Sequence, residues 1–298
     1  MKRPQLGLTV FNCLAACTFL STIAKAEPLA PQLLWSKGVP GETDLKLPDE
    51  SLELRGDYRI EILSNVSHPT LTWYQAPQSN GTAVIVCPGG GYNILAYSHE
   101  GKEVCKWLNS IGISAALVKY RVPRRESLEK HHAPLQDIQR AIGIVRTNAV
   151  KWNVNPQRIG VLGFSAGGHL CTMALTSDGS RTYQEDPAWD APSCIPNFGI
   201  LVYPAYQLDE EDPDRLSPEI AVDENTPPAF LVVGHEDKKW TEGSARFYIE
   251  MKRHDRSCEL HIFAKGGHGF GFGNTVEEIK QWPQLAENWM QAMGWLGE

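Results

Sequence analysis

Arg158-Ile159-Gly160-Val161-Leu162-Gly163-Phe164-Ser165-Ala166-Gly167-Gly168-His169 runs from a short apolar strand pattern, through Gly163-x-Ser165-x-Gly167, into a helical pattern. A buried strand that enters a helix through G-x-S-x-G is the setting in which a serine sits on a strained turn with its hydroxyl lifted above a sheet. Gly163 and Gly167 leave room for that turn, and the helix N-terminus behind it favours developing negative charge. Ser165 is the candidate nucleophile; the bland alternative is a tight strand-to-helix turn that merely needs small residues.

Working outward, Ala83–Cys87, Ser114–Lys119, Arg158–Gly163, Phe198–Tyr203, Ala229–Gly234 and Glu259–Ala264 are short, continuous apolar runs, as expected of strands covered on both faces. They alternate with helical patterns over Glu100–Ser110, Pro134–Trp152, Ser165–Thr176, Gly243–His254 and Val276–Met293. Such alternation predicts an α/β fold with a mostly parallel, doubly wound sheet. Tyr58–Leu63 and Leu71–Gln75 alternate apolar and polar residues and read as antiparallel N-terminal edge strands, while Pro28 to Leu54 reads as irregular. Ser177–Asn197 and Pro204–Pro228 are rich in Pro, Asp and Glu and are expected on the rim where ligands bind in such folds.

A serine nucleophile needs a base, and the base an orienting acid. Both are expected on loops after later strands. Ala229–Gly234 ends in His235-Glu236-Asp237, and Glu259–Ala264 ends in Lys265-Gly266-Gly267-His268-Gly269-Phe270-Gly271. His268, between glycines, is the candidate base; Asp237 is preferred to Glu236 as the acid, and His235 reads as a loop residue. An oxyanion site is expected from the backbone N–H groups of Pro88-Gly89-Gly90-Gly91-Tyr92, with Gly90, Gly91 and Tyr92 as candidates, and from Ala166 after the nucleophile. Trp189, Tyr206, Trp240 and Tyr92 are rim aromatics that could line a substrate.

Other polar groups carry weaker expectations. His131 and His132 open a helix with no ligand partner at metal spacing, His169 reads as a packed core histidine, and Asp209–Asp212 as a solvated acidic loop. Metal and cofactor are therefore both expected to be none. Asp137, Arg140 and Arg146 are expected to brace the nucleophile region by ion pairs. Cys87, Cys105 and Cys171 read as small core residues, Cys194 and Cys258 as the more solvent-facing pair, with one bridge at most.

The chain has 298 residues, 42% hydrophobic and 21% charged, which is enough to bury a full core. Its net charge of −7 comes with no long basic run and disfavours nucleic-acid and anionic-membrane partners. Lys2-Arg3, the apolar stretch Leu6 to Ile23 and Ala24-Lys25-Ala26 predict an export signal over 1–26, followed by one domain over 27–298. The expected destination is periplasmic or secreted, with lipidation at Cys17 of Leu14-Ala15-Ala16-Cys17 the lesser alternative. Stable membrane association is not expected once that signal is removed, and the oligomeric state is not legible.

Together, Leu34-Trp35, Gly38-Val39-Pro40-Gly41, the Pro88–Tyr92 loop, Glu100-Gly101, Lys119-Tyr120-Arg121, Gly163–His169 and Gly266–Gly271 resemble bacterial exported α/β-hydrolases of the dienelactone-hydrolase-like and acetyl xylan esterase-like (BD-FAE-like) type. The resemblance implies an α/β-hydrolase fold, Ser165, Asp237 and His268 as a catalytic triad, and the Gly90–Tyr92 backbone as oxyanion donors. The chain departs from that pattern where Lys238-Lys239-Trp240 follows Asp237, because relatives commonly have a short apolar or Pro-containing turn there. The expected activity is hydrolysis of small acyl esters, acetyl before others, on small molecules or on polysaccharides such as acetylated xylan. A serine peptidase of the prolyl-oligopeptidase type and a catalytically inactive carbohydrate-binding protein of the same fold are the alternatives.

Overall fold

The computed structural model describes residues 27–42, 46–273 and 277–297. The export segment 1–26, with Cys17, lies outside the described residues. The main sheet has eight strands: β1 (Gln32–Leu33), β4 (Thr70–Tyr74), β5 (Ala83–Cys87), β7 (Ser114–Lys119), β8 (Ile159–Phe164), β9 (Phe198–Val202), β10 (Ala229–Gly234) and β11 (Cys258–Phe263). Their order is β1-β4-β7-β5-β8-β9-β10-β11. β1 pairs antiparallel with β4 and β4 with β7; the pairs from β7 to β11 are parallel. Among the described residues no helix is long and apolar enough to cross a membrane.

The central strands are buried at every position because helices cover both faces. Side chains alternate between the two layers, as a period of two requires. Ile85, Ala116, Val161 and Leu231 pack with Ile138 of α2 (His132–Thr147), Leu170 of α3 (Ala166–Leu175) and Phe247 of α5 (Thr241–Arg253). Val84, Ala115, Leu162 and Phe230 face the other way, against Val104 of α1 (Glu103–Ser110) and Trp289 of α6 (Trp282–Ala292). A four-residue helix, α4 (Pro187–Asp190), lies against α2, where the Trp189 carbonyl closes over Gly143.

Two expectations about the N-terminal region are corrected. The Tyr58–Leu63 run becomes β3 (Ile60–Ser64), which leaves the main sheet to form a small antiparallel sheet with β2 (Ser51–Arg55) and β6 (Ile94–Ala96). The segment Pro28 to Leu54, read as irregular, contains β1 and all of β2 but its last residue, Arg55. The braces on α2 also hold something other than the nucleophile. Asp137 pairs with Arg121 and Arg140 with Asp190, while Arg146 donates to the carbonyl oxygens of Pro156, Ser193 and Ile195. They fasten the N-terminal segment and the 177–197 loop to α2. The five described cysteines are all free, and Cys194, expected near solvent, is buried with its thiol toward the Gly179 carbonyl.

Candidate active site

Ser165, Asp237 and His268 follow the carboxyl ends of β8, β10 and β11, the edge where open α/β sheets bind ligands. Ser165 has φ 51° and ψ −118°, an uncommon backbone state for a residue other than glycine. It is held there from both sides: its N–H donates to Val202 O at 3.1 Å, and its carbonyl accepts from His169 N and Ala205 N, each at 3.0 Å. The flanking glycines are required by close approach. A Cβ on Gly163 would lie 2.1 Å from Gly167 O, and one on Gly167 would lie 2.2 Å from Cys87 O.

His268 Nε2 stands 2.7 Å from Ser165 Oγ, and His268 Nδ1 stands 2.6 Å from Asp237 Oδ2. With Nδ1–H donating to the carboxylate, Nε2 presents a lone pair to the serine hydroxyl, the arrangement in which an imidazole removes a proton from an alcohol. Asp237 is 4% exposed, so its charge is directed at the ring with little competition from water. Glu236 turns the other way, accepting from Gly266 N at 2.9 Å, and His235 is exposed. The Lys238-Lys239-Trp240 turn closes on Asp237 itself, whose carbonyl accepts from Trp240 N at 3.1 Å and Thr241 Oγ1 at 2.8 Å.

The glycine loop after β5 folds back over this chain. Gly90, Gly91 and Tyr92 have φ of 139°, 63° and 62°, and among the described residues their N–H groups and that of Ala166 donate to no protein acceptor. Such N–H groups beside a serine hydroxyl can receive a developing oxyanion. A buried carboxylate positions the loop: Glu100 Oε2 accepts from Gly89 N at 2.7 Å, and its Oε1 accepts from Tyr203 Oη at 2.6 Å. Tyr203 Oη in turn accepts from Gly271 N at 2.9 Å, which reaches the loop that carries His268. Burial pushes the Tyr203 hydroxyl well above its ordinary range, so it stays protonated. Glu100 and Tyr203 had no chemical expectation attached to them; the signal available was the Glu100-Gly101 match to the family pattern.

The aromatic expectations divide. Tyr206 and Trp240 meet edge to face with centroids 5.0 Å apart, and Trp240 lies 6.4 Å from the His268 ring. They line a cleft of about 1060 Å³ together with Asp209, Glu210 and Glu211 of the acidic loop. Tyr92 is no platform: its side chain is fully buried, with its hydroxyl 2.8 Å from His169 Nδ1. Trp189 belongs to α4, on α2, and does not join Tyr206 and Trp240. His169 is fully buried, as expected. His131 differs from expectation, because it finds partners distant in sequence, His169 and Glu219. Burial, with His169 next, pushes His131 down to about 4.

The BD-FAE family model matches residues 72–194, the part that carries the glycine loop and Ser165. The chain is 31% identical over 254 residues to the acetylxylan esterase of Xylanibacter ruminicola, covering 78% of this chain and 50% of that protein. It is 26% identical over 257 residues to endo-1,4-beta-xylanase B of Butyrivibrio fibrisolvens, covering 80% of this chain and 40% of that protein. The chain therefore spans half or less of the length of these curated relatives. The acetyl ester-xyloside bifunctional hydrolase of Caldicellulosiruptor lactoaceticus superposes with a TM-score of 0.70 at 34% identity, covering 90% of this chain and 97% of that one. On that likeness, nearly end to end, the chain belongs to the α/β-hydrolase esterases of the BD-FAE type.

Proposed function

We propose that the protein is a cofactor-independent serine carboxylesterase that removes small acyl groups, acetyl first, from carbohydrates such as xylan. The observation that carries this reading is the hydrogen-bonded chain from Ser165 Oγ through His268 to Asp237, at 2.7 and 2.6 Å, built on a strained serine at the start of α3. Ser165 Oγ attacks the ester carbonyl while His268 Nε2 takes its proton; the resulting oxyanion is received by the N–H of Ala166 and by the Gly90–Tyr92 loop. His268 then protonates the ester oxygen as the acyl C–O bond to the sugar breaks, so the sugar leaves with a free hydroxyl and an acyl-enzyme remains on Ser165. Water, activated by His268, releases the acid and restores the serine, and Asp237 stabilises the imidazolium in both halves.

The acetyl and xylan assignments are supported by the names of the acetylxylan esterase and acetyl ester-xyloside hydrolase relatives and by the aromatic cleft at Tyr206 and Trp240. Export, as read from 1–26, is part of the same proposal, since polymeric xylan does not enter cells. The test is acetate release from acetylated xylan beside p-nitrophenyl acetate, feruloylated esters and an aminoacyl-p-nitroanilide. Wild type should favour the acetyl esters and leave the anilide uncut. Ser165→Ala should lose about 10⁶-fold in kcat. A Ser165→Ala protein as fast as wild type would overturn the mechanism.

A further inference from the structure

Beside the Ser165–His268 chain, three side chains from separate segments converge without taking part in it. His131 precedes the first turn of α2, His169 lies on α3, and Glu219 comes from the long loop after β9. One ligand atom from each lies within 4.8 Å of the other two, and this is the only such group found among the described residues. Glu219 Oε1 is 3.3 Å from His169 Nε2 and 3.8 Å from His131 Nδ1. Ser217 donates its hydroxyl to the other oxygen, Oε2, which leaves Oε1 toward the two rings.

His131 Nδ1 is buried without a hydrogen-bond partner among the described residues, and the equally buried His169 Nε2 has only the poorly aligned Glu219 Oε1, 3.3 Å away. A buried polar nitrogen without a well-aligned partner is costly, and two that face one carboxylate oxygen suit a shared ligand. In a tetrahedral site with bonds of about 2.0–2.1 Å, neighbouring ligand atoms lie roughly 3.3–3.4 Å apart. Two of the three separations, 3.3 and 3.8 Å, are already close to that spacing, and the third is within 4.8 Å.

We infer that His131 Nδ1, His169 Nε2 and Glu219 Oε1 bind a first-row divalent metal ion, best matched by Zn²⁺, with its fourth position open to the cleft lined by Tyr206 and Trp240. Two imidazoles and one carboxylate suit Zn²⁺ and its neighbours, whereas Ca²⁺ and Mg²⁺ require oxygen donors. The outer shell fits as well. With Nε2 on the metal, Nδ1–H of His169 donates to the Tyr92 hydroxyl oxygen 2.8 Å away, the second hydrogen bond that fixes a metal-bound imidazole. Such an ion would fasten the start of α2 and the 203–228 loop to α3, and so hold Tyr206 on the rim. The inference is independent of the esterase reading, because none of its ligands acts in that reaction.

The test is calorimetric titration of chelator-treated, untagged protein with ZnCl₂, with thermal melts of the same samples. One Zn²⁺ per chain should bind, and saturation should raise Tm. Glu219→Gln and His131→Gln, both at partly exposed positions, should each weaken binding at least about tenfold and abolish the Zn²⁺-dependent rise in Tm while the metal-free proteins still melt cooperatively. Co²⁺ bound in place of Zn²⁺ should show tetrahedral visible absorption. The inference is overturned by no stoichiometric binding, by variants that bind Zn²⁺ as wild type does, or by preference for Ca²⁺ or Mg²⁺.

Discussion

Asp237 and Glu236 are adjacent carboxylates in one turn, and the backbone sends them to opposite duties. The Asp237 carboxylate is buried against His268 Nδ1, while Glu236 lies at the surface and holds Gly266 N. The sequence favours Asp237 only by its distance from the strand; the direction of the turn separates the two. Asp237→Asn would present an amide N–H or a weaker acceptor to the ring, favouring the wrong tautomer, and kcat on p-nitrophenyl acetate should fall by about 10⁴-fold. Glu236→Gln should stay within a few-fold of wild type. The reverse ranking in steady-state kinetics would assign the acid to Glu236. The same limit on reading single residues applies to the aromatics, since an aromatic in a rim segment has a composition that does not disclose its orientation. Tyr92 turns inward to His169, and only Tyr206 and Trp240 face the cleft.

At the scale of elements, the site depends on three loops held in register by two buried groups. Glu100 binds the glycine loop at Gly89, and Tyr203 carries the connection from Glu100 to Gly271 on the histidine loop. Tyr203→Phe keeps the ring edge to face with Phe270, centroids 4.3 Å apart, but leaves Gly271 N–H and a carboxylate oxygen unpaired. A lost hydrogen bond to a charged group is worth about 1.5–3 kcal/mol. If part of that is spent on positioning, kcat should fall by about tenfold or more with KM little changed. A merely structural tyrosine would lower Tm and leave kcat alone. Strands and helices of the main sheet were legible because burial on both faces writes a continuous apolar run; Ala83–Cys87, Ser114–Lys119 and Ala229–Gly234 have the bounds read from sequence. β2 was not: its Ser-Leu-Glu-Leu-Arg alternates, but four of its five residues, Leu52 and Leu54 among them, are exposed, so the alternation marks no buried face. β3 showed alternation, but alternation reports half-burial and cannot say which sheet a strand joins.

Over the whole molecule, positions distant in sequence meet, and local pattern is least informative there. His131, His169 and Glu219 arrive from three segments, so no spacing motif marks them. The buried centre at Arg121 is similar: its guanidinium and backbone N–H bond to Asp137, and it reaches Pro40, Glu42, Ala133 and Gln136, while Trp35 Nε1 donates to the same Asp137 at 2.7 Å. It therefore fastens the N-terminal segment to the end of β7 and the start of α2. Arg121 is 1% exposed, and burial pushes the Asp137 carboxyl up against the opposing pull of Arg121. Arg121→Met strands that carboxylate and should destabilise the fold by about 3–5 kcal/mol in urea unfolding near pH 7. Because the stranded carboxyl has a folded-state pKa raised above its unfolded value, the stability it permits is present at low pH and lost as pH rises through the folded value. The deficit of Arg121→Met relative to wild type should therefore shrink as the pH is lowered from 7. Adding Asp137→Asn to Arg121→Met should recover part of the loss, since the buried charge is then gone. A double variant as destabilised as the sum of the two singles would mean that Arg121 acts through its other partners, Glu42 and the Pro40 and Ala133 carbonyls, and not through Asp137.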